Sequence, residues 1–284
     1  MEPRGFGDVA EQLRRSTVRV LGGQGGEQGS GSGIIWTSDG TVITNAHVAR
    51  DRTMQVELWD GRSFPAEVAS RDDRRDLAKL KLKTFGLPAV QTRDSASLRP
   101  GELVVAVGNP LGFIGALTTG VVHALGPVQG LGRKSWVQAA IRLAPGNSGG
   151  PLADAQGRVV GINTMIIAGG VALAVPGNAA SDFLTNGSRP GLGVTVRPVA
   201  IAPHALGLLV LEVAAASPAE SASLLTGDVL VGTGNRRFRS VDDLGDAIEQ
   251  AVDGILPLRF LRGDRRVERE VTARLVTHRR EAAA

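Results

Sequence analysis

The sequence contains no cysteine, which excludes disulfides and thiolate metal sites and leaves the redox compartment unmarked. No apolar run reaches the roughly 18 residues that a membrane span needs, and residues 1–20 lack the apolar core of a signal peptide. As written, the chain is expected to be cytoplasmic; a periplasmic or envelope-associated place is the alternative if a leader has been removed. Aromatic residues are scarce, at 4%, and the 32 Lys and Arg are scattered among 28 Asp and Glu. A nucleic-acid partner, which favours a clustered basic face, is therefore not expected. The densest basic run, Arg262 to Arg269, is interrupted by Gly263, Asp264 and Glu268 and reads as a solvated hairpin. Glycine is abundant, 38 of 284 residues, and 42% of the chain is hydrophobic. That composition suits a globular protein of one large or two medium domains.

From residue 17 to about 175, short β-branched runs recur between Gly-rich turns: "TVRVLG", "GSGIIWTSDGTVITNA", "MQVELW", "SFPAEVASR", "LAKLKL", "ELVVAVG", "TTGVVHALG", "VQAAI" and "GRVVGINTMI". Their length and spacing predict an all-β barrel or sandwich rather than alternating βα units. Ahead of them "DVAEQLRRS" places Val9, Leu13 and Phe6 on one face of a short helix within residues 1–16. Residues 177–190 combine a short helical stretch with a Gly, Ser and Pro exit and are read as a linker after a first domain at 17–176. Residues 191–277 form a smaller α+β unit with helix-like "SPAESASLL". Ser240 is the expected N-cap for "SVDDLGDAIEQA", whose Val241, Leu244 and Ile248 share a face.

The stretch "LAPGNSGGPLADAQG", residues 143–157, crowds glycine and proline around Ser148. A serine hydroxyl is a poor nucleophile until a neutral imidazole takes its proton, and the imidazole needs a carboxylate to fix its tautomer. Of the four histidines, only His47 lies in a strand-to-turn passage dense in small residues, "TVITNAHVA". His123 alternates like a surface strand position, while His204 and His278 fall in the second domain. Among carboxylates, Asp72 and Asp73 read as members of a charged loop, whereas Asp76 leads into the apolar alternation of Leu77, Leu80 and Leu82. A partly buried carboxylate needs a partner, and a histidine qualifies. The order His47, Asp76, Ser148 is that of chymotrypsin-like enzymes. The pentapeptide "GNSGG" alone is ambiguous, but the β-rich context excludes the strand-turn-helix nucleophile elbow. The N–H groups of Gly146 and Ser148 would meet a substrate carbonyl oxygen, with Gly149 and Gly150 letting the substrate chain approach closely.

With these motifs in place, the chain resembles the HtrA (Deg) family of trypsin-like serine proteases. The resemblance rests on "GSGIIWTSDGTVITNAHVA", "RRDLAKLKL", "AVGNPLGFIGALTTGVVHALG", "VQAAIRLAPGNSGGPLADAQGRVVGINTMI", "LAVP" and "SPAESASLLTGDVLVGTGN". It implies a mostly β chain, a chymotrypsin-like double β-barrel followed by a small α+β PDZ domain, acting as a serine endopeptidase on unfolded or misfolded polypeptide without metal or cofactor. Carried over, His47 is the general base, Asp76 its orienting carboxylate and Ser148 the nucleophile. Gly146, Asn147 and Ser148 shape the oxyanion hole. Ile162, Asn163, Thr164 and Met165 follow the loop bordering the S1 pocket, whose apolar side chains imply cleavage after small or medium aliphatic residues. Gly191, Leu192, Gly193 and Val194 match the PDZ loop that captures a peptide C-terminus while the peptide adds to a sheet edge, and Leu125 to Trp136 is the segment expected to receive that signal. The resemblance further implies a homotrimer or higher homo-oligomer built around Phe6. Gln138, Ala139 and Ala140 carry no acidic residue where the family has one, the stretch from Gly22 to Gly33 is short, Ser223 replaces a common glycine, and Asn235-Arg236 stands for Asn-Gly. The alternative is a peptide-binding sensor or chaperone on an inactive protease fold.

Overall fold

In strands β1 (Thr17–Leu21), β4 (Thr53–Glu57), β5 (Ser63–Asp72) and β6 (Leu77–Leu82) apolar residues recur at the two-residue period of a pleated strand, while β2 (Ser30–Thr37) and β3 (Thr41–Thr44) carry them at consecutive positions. In the computed structural model, which describes residues 5–22, 30–109, 115–129, 131–187, 191–202 and 205–275, these strands close into a barrel in the order β1-β2-β3-β6-β5-β4. A second barrel, β10-β11-β12-β9-β8-β7, is built from β7 (Leu103–Gly108), β8 (Ala116–Gly126), β9 (Trp136–Ala140), β10 (Pro151–Asp154), β11 (Val159–Ile166) and β12 (Val171–Pro176). Closure pairs β1 with β4 and β7 with β10, so neither barrel has a free edge.

Several central strands are covered on both faces, so adjacent residues serve different cores. Ile35 and Val42 fill the first barrel with Val18, Val56 and Leu80, and Val104, Val122 and Val160 fill the second. Their neighbours Ile34, Ile43, Val105, Val107 and Ile162 point the other way, into one cluster shared by both barrels. Two helices seal that cluster. The first, α1 (Phe6–Ser16), contributes Val9 and Leu13, while Phe6 on the same helix stays exposed.

The second helix corrects the linker assignment. Residues 177–186 form α2 (Gly177–Asn186), whose Ala180 and Phe183 are fully buried in the inter-barrel core. The chain divides into two compact units at Met1–Ser188 and Arg189–Ala284. The helix ends at Gly187, whose φ of 76° lies in the left-handed region that glycine tolerates. Strand β10, hidden from the sequence in a Gly- and Pro-rich run, starts with Pro151, the strand position where a missing N–H costs least.

The second unit is a single sheet in the order β13-β14-β15-β17-β18, with β16 paired to β15. Its strands are β13 (Val194–Ala202), β14 (Ala205–Val213), β15 (Val229–Thr233), β16 (Arg236–Arg237), β17 (Ile255–Arg262) and β18 (Asp264–Arg274), and its helices α3 (Pro218–Ser221) and α4 (Val241–Glu249). The helix expected from "SPAESASLL" is a single turn. In α4 the Asp243 carboxylate accepts from the Ser240 N–H at 3.0 Å, and Leu244 and Ala247 are buried while Val241 is exposed, so the buried face sits one step round from the one expected. Ser223 has φ 59°, which gives a physical reason for a glycine there. Arg262 leaves the solvated-hairpin assignment: its guanidinium lies 2.7 Å from the buried Asp228 carboxylate and its Nη2 donates to the Ser223 carbonyl. His204 and His278 lie outside the described residues, as do parts of the Gly22–Gly33 and Leu125–Trp136 segments. Among the described residues, no helix is long and apolar enough to cross a membrane.

Phe183→Ala is expected to destabilise the first unit by about 3–5 kcal/mol, as for a fully buried aromatic that leaves a cavity. All three tryptophans, Trp36, Trp59 and Trp136, lie in that unit, so urea unfolding followed by tryptophan fluorescence reads it alone. A change below about 1 kcal/mol would return residues 177–186 to the role of a connector.

Candidate active site

Strand β3 ends at Thr44, and the turn after Asn45 presents His47 with its side chain 42% exposed, against 18% for Asp76. Asp76 follows the turn out of β5 and immediately precedes β6. Its carboxylate accepts from the His47 main-chain N–H at 3.0 Å and meets Nδ1 of the ring at 2.8 Å and 3.0 Å. With Nδ1 committed to a carboxylate, the ring's proton sits there and Nε2 is left as the acceptor. Asp76 adopts φ 57°, a left-handed conformation rare outside glycine, and its carbonyl is held by the Asn45 amide at 2.9 Å.

The neighbouring acids are occupied elsewhere. Asp72 is the last residue of β5 and buried, not part of an exposed loop; it accepts from the Arg75 N–H at 2.9 Å. Asp73 pairs with Arg71 at 2.6 Å. Arg75 reaches Asp182 on α2 at 2.6 Å, tying the turn before Asp76 to the helix that closes the inter-barrel core.

Ser148 lies in the loop between β9 and β10. Its Oγ donates to the Thr164 carbonyl at 3.0 Å, and among the described residues no hydrogen bond joins it to His47. The loop turns tightly, with Asn147 N–H bonded to the Ala144 carbonyl at 3.0 Å and Gly146 at φ 102°. The N–H groups of Gly146 and Ser148 have no acceptor among the described residues, whereas those of Asn147, Gly149 and Gly150 do. Asn147 is buried, its side chain filling the space left by the missing Cβ of Gly108.

Gly149 and Gly150 do not face open space for a substrate. A Cβ on Gly149, at φ 86°, would run into the Ser32 carbonyl and the Thr44 hydroxyl, and one on Gly150 into the Val107 carbonyl. Both glycines let the loop lie against the protein's own strands.

Ile162, Asn163, Thr164 and Met165 all lie within β11 rather than in a loop. Ile162 is in the inter-barrel core, and the Asn163 amide donates to the Pro151 carbonyl at 2.9 Å. Met165 is exposed. Thr164 is the junction: its hydroxyl accepts from Asn45 at 3.0 Å while its carbonyl holds Ser148. Asn45 thus links Asp76 in the first barrel to the Ser148 contact in the second. Sequence reasoning passed over it, although an amide between "TVIT" and the histidine was a signal.

In the second unit, Gly191 is exposed and Leu192 is buried in the core. Gly193, at φ 79°, packs against Ser217 where no Cβ would fit. The carbonyls of Leu192 and Gly193 accept from Ala219 and Ala214, while their N–H groups have no acceptor among the described residues. Val194 opens β13.

Residues 31–162 match the family model for a trypsin-like peptidase domain. The chain is 35% identical over 280 residues to the putative serine protease HhoA of Synechocystis sp., covering 87% of this chain and 71% of that one. It is 33% identical over 252 residues to serine protease HTRA1 of Xenopus tropicalis, covering 78% and 55%. The chain spans a little over half the length of several curated relatives that it matches, 61%, 55% and 53%. Among solved structures, the HtrA-type protease AlgW with a tripeptide superposes with a TM-score of 0.65 at 26% identity over 96% of this chain and 97% of that one. A serine endoprotease from Yersinia pestis superposes at 0.67 and 25% identity over 97% and 98%.

Because the loop's seat on β2 leaves no room for a side chain at residue 149, Gly149→Ala is expected to cost about 3 kcal/mol or more, combining strain at positive φ with displaced backbone. For a unit of this size that lowers the thermal midpoint by roughly 6–12 °C. A shift under about 2 °C in calorimetry would show that the loop does not depend on that seat.

Proposed function

The chain belongs to the HtrA family of trypsin-like serine proteases, and from that premise we propose that it is a serine endopeptidase working through His47, Asp76 and Ser148. The observation that carries the proposal is the double grip of the Asp76 carboxylate on His47, at the main-chain N–H and at Nδ1, beside the Gly146 and Ser148 N–H groups, which have no acceptor among the described residues. The grip holds Nε2 free to take a proton and stabilises the imidazolium that results. For attack, the Ser148 hydroxyl leaves the Thr164 carbonyl and turns to Nε2, so that its proton passes to His47 as the oxygen adds to the scissile carbonyl. The developing oxyanion is taken by the N–H groups of Gly146 and Ser148, where one donor is worth about 10²–10³ in rate. His47 then gives the proton to the departing amine, and water repeats the sequence on the acyl-enzyme.

The substrate class that suits this chain is unfolded or misfolded polypeptide, cleaved after small or medium aliphatic residues near β11. The second unit reads as a PDZ domain. Leu192 and Gly193, with N–H groups free of acceptors among the described residues, support capture of a peptide carboxylate, and β13, at the end of its sheet, offers an edge for the peptide to extend.

Ser148→Ala is expected to abolish cleavage of casein and labelling by a fluorophosphonate probe while the fold persists; residual turnover above a few per cent of wild type would remove Ser148 as nucleophile. Asp76→Asn is expected to lower the rate by about 10⁴, as for an imidazole in the wrong tautomer, and a smaller loss than for Asp72→Asn would mean that another carboxylate serves.

Peptides ending in an apolar residue with a free carboxylate are expected to raise cleavage of a small reporter about 5–150-fold, the usual range of coupling between sites. Their C-terminal amides are expected to have no effect. Equal activation by the amides would leave the second unit as a tether for substrate only.

A further inference from the structure

The residue that holds the serine loop in position is in the other barrel. Ser32 in β2 is fully buried, and it grips the loop twice: its Oγ donates to the Gly146 carbonyl at 2.7 Å and its N–H to the Ser148 carbonyl at 2.8 Å. Gly146 and Ser148 both have N–H groups without an acceptor among the described residues.

The direction of the hydroxyl proton is determined by its surroundings. A serine oxygen offers one proton and two lone pairs. Asn109, itself buried, donates to Ser32 Oγ from its main-chain N–H at 2.9 Å and from its amide at 3.3 Å. Both acceptor positions are then filled, and the proton goes to Gly146. The Asn109 amide is itself anchored, donating to the Val18 carbonyl at 2.9 Å and accepting from the Gly115 N–H at 3.0 Å.

Such a clamp is needed because of the residue it holds. Gly146 sits at φ 102°, and a glycine there has other peptide orientations within easy reach. Asn147 N–H, bonded to Ala144, ties one side of the Gly146–Asn147 peptide; Ser32 Oγ ties the other.

We infer that Ser32 is a positioning residue for catalysis, its hydroxyl directed by Asn109 onto the Gly146 carbonyl so that the N–H groups of Gly146 and Ser148 stay aimed at the oxyanion. The inference rests on the endopeptidase proposal. Ser32 touches no reacting atom and acts through the loop.

The test compares wild type, Ser32→Ala and Ser32→Cys on a fluorogenic peptide, with inhibition by a peptide boronate, which mimics the tetrahedral intermediate. Cysteine keeps the shape of serine but is a weak donor. A packing role therefore groups Cys with Ser, and a hydrogen-bonding role groups it with Ala. The expected result is a fall in kcat of about 10–100-fold in both variants, less than for loss of a hole donor outright. KM is expected to stay within about threefold, boronate affinity to fall in step with kcat, and the shape of the pH–rate profile to be unmoved. If Ser32→Ala does not fold, Ser32→Cys carries the test alone. A kcat for Ser32→Cys within about twofold of an active wild type, or losses confined to KM, overturns the role of Ser32 and leaves the endopeptidase proposal standing. A wild type that neither turns over nor takes a fluorophosphonate label overturns both.

Discussion

Everything at the candidate site depends on one close approach, that of the serine loop of the second barrel to strand β2 of the first. Gly149 brings the loop backbone against the Ser32 carbonyl where no side chain could fit, and the Ser32 N–H and hydroxyl then bond the carbonyls on either side of Asn147. Together with the tie from Asn45 through Thr164, that seat fixes Ser148 relative to β3 and the turn bearing His47. Gly149 and Gly150 therefore serve backbone-to-backbone packing inside the protein as much as any approach of substrate.

The barrels hold that seat through shared apolar surface. Because β2, β3, β7 and β11 alternate between a barrel interior and the cluster between the barrels, a shift of either barrel would expose Ile34, Ile43, Val105 or Ile162. Burying a side chain of that size stabilises by about 1.5–3 kcal/mol. That reserve can sustain local strain such as the left-handed Asp76, a conformation that costs about 1–3 kcal/mol. The strain is further offset at both ends of the residue, by the Asn45 amide on its carbonyl and by the His47 N–H on its carboxylate. Arg75, joined to Asp182, fixes the same turn from the side of α2.

Much of this architecture was legible in advance. The alternating runs located most strands of the two barrels, and requiring a base and a carboxylate for Ser148 singled out His47 and Asp76 among four histidines and three clustered aspartates, a pair that the fold brings within 2.8 Å. Strand β10 was not legible because four residues beginning with proline look like the loop that precedes them. Helix α2 was mistaken for a linker because its burial depends on Ala180 and Phe183 reaching a core formed by strands far earlier in the chain.

What the sequence by itself determined is the faces of the strands, the presence of two units and the residue types available for chemistry, because periodicity and composition are local properties. What only the tertiary structure decided is which polar groups meet. Ser32 and Gly146 are 114 residues apart, Asn45 and Thr164 119, and Ser32 and Asn109 77. A buried hydroxyl or amide has no preferred partner until two barrels enclose it, and then it must find one, because leaving it unpaired away from water costs about 1–3 kcal/mol.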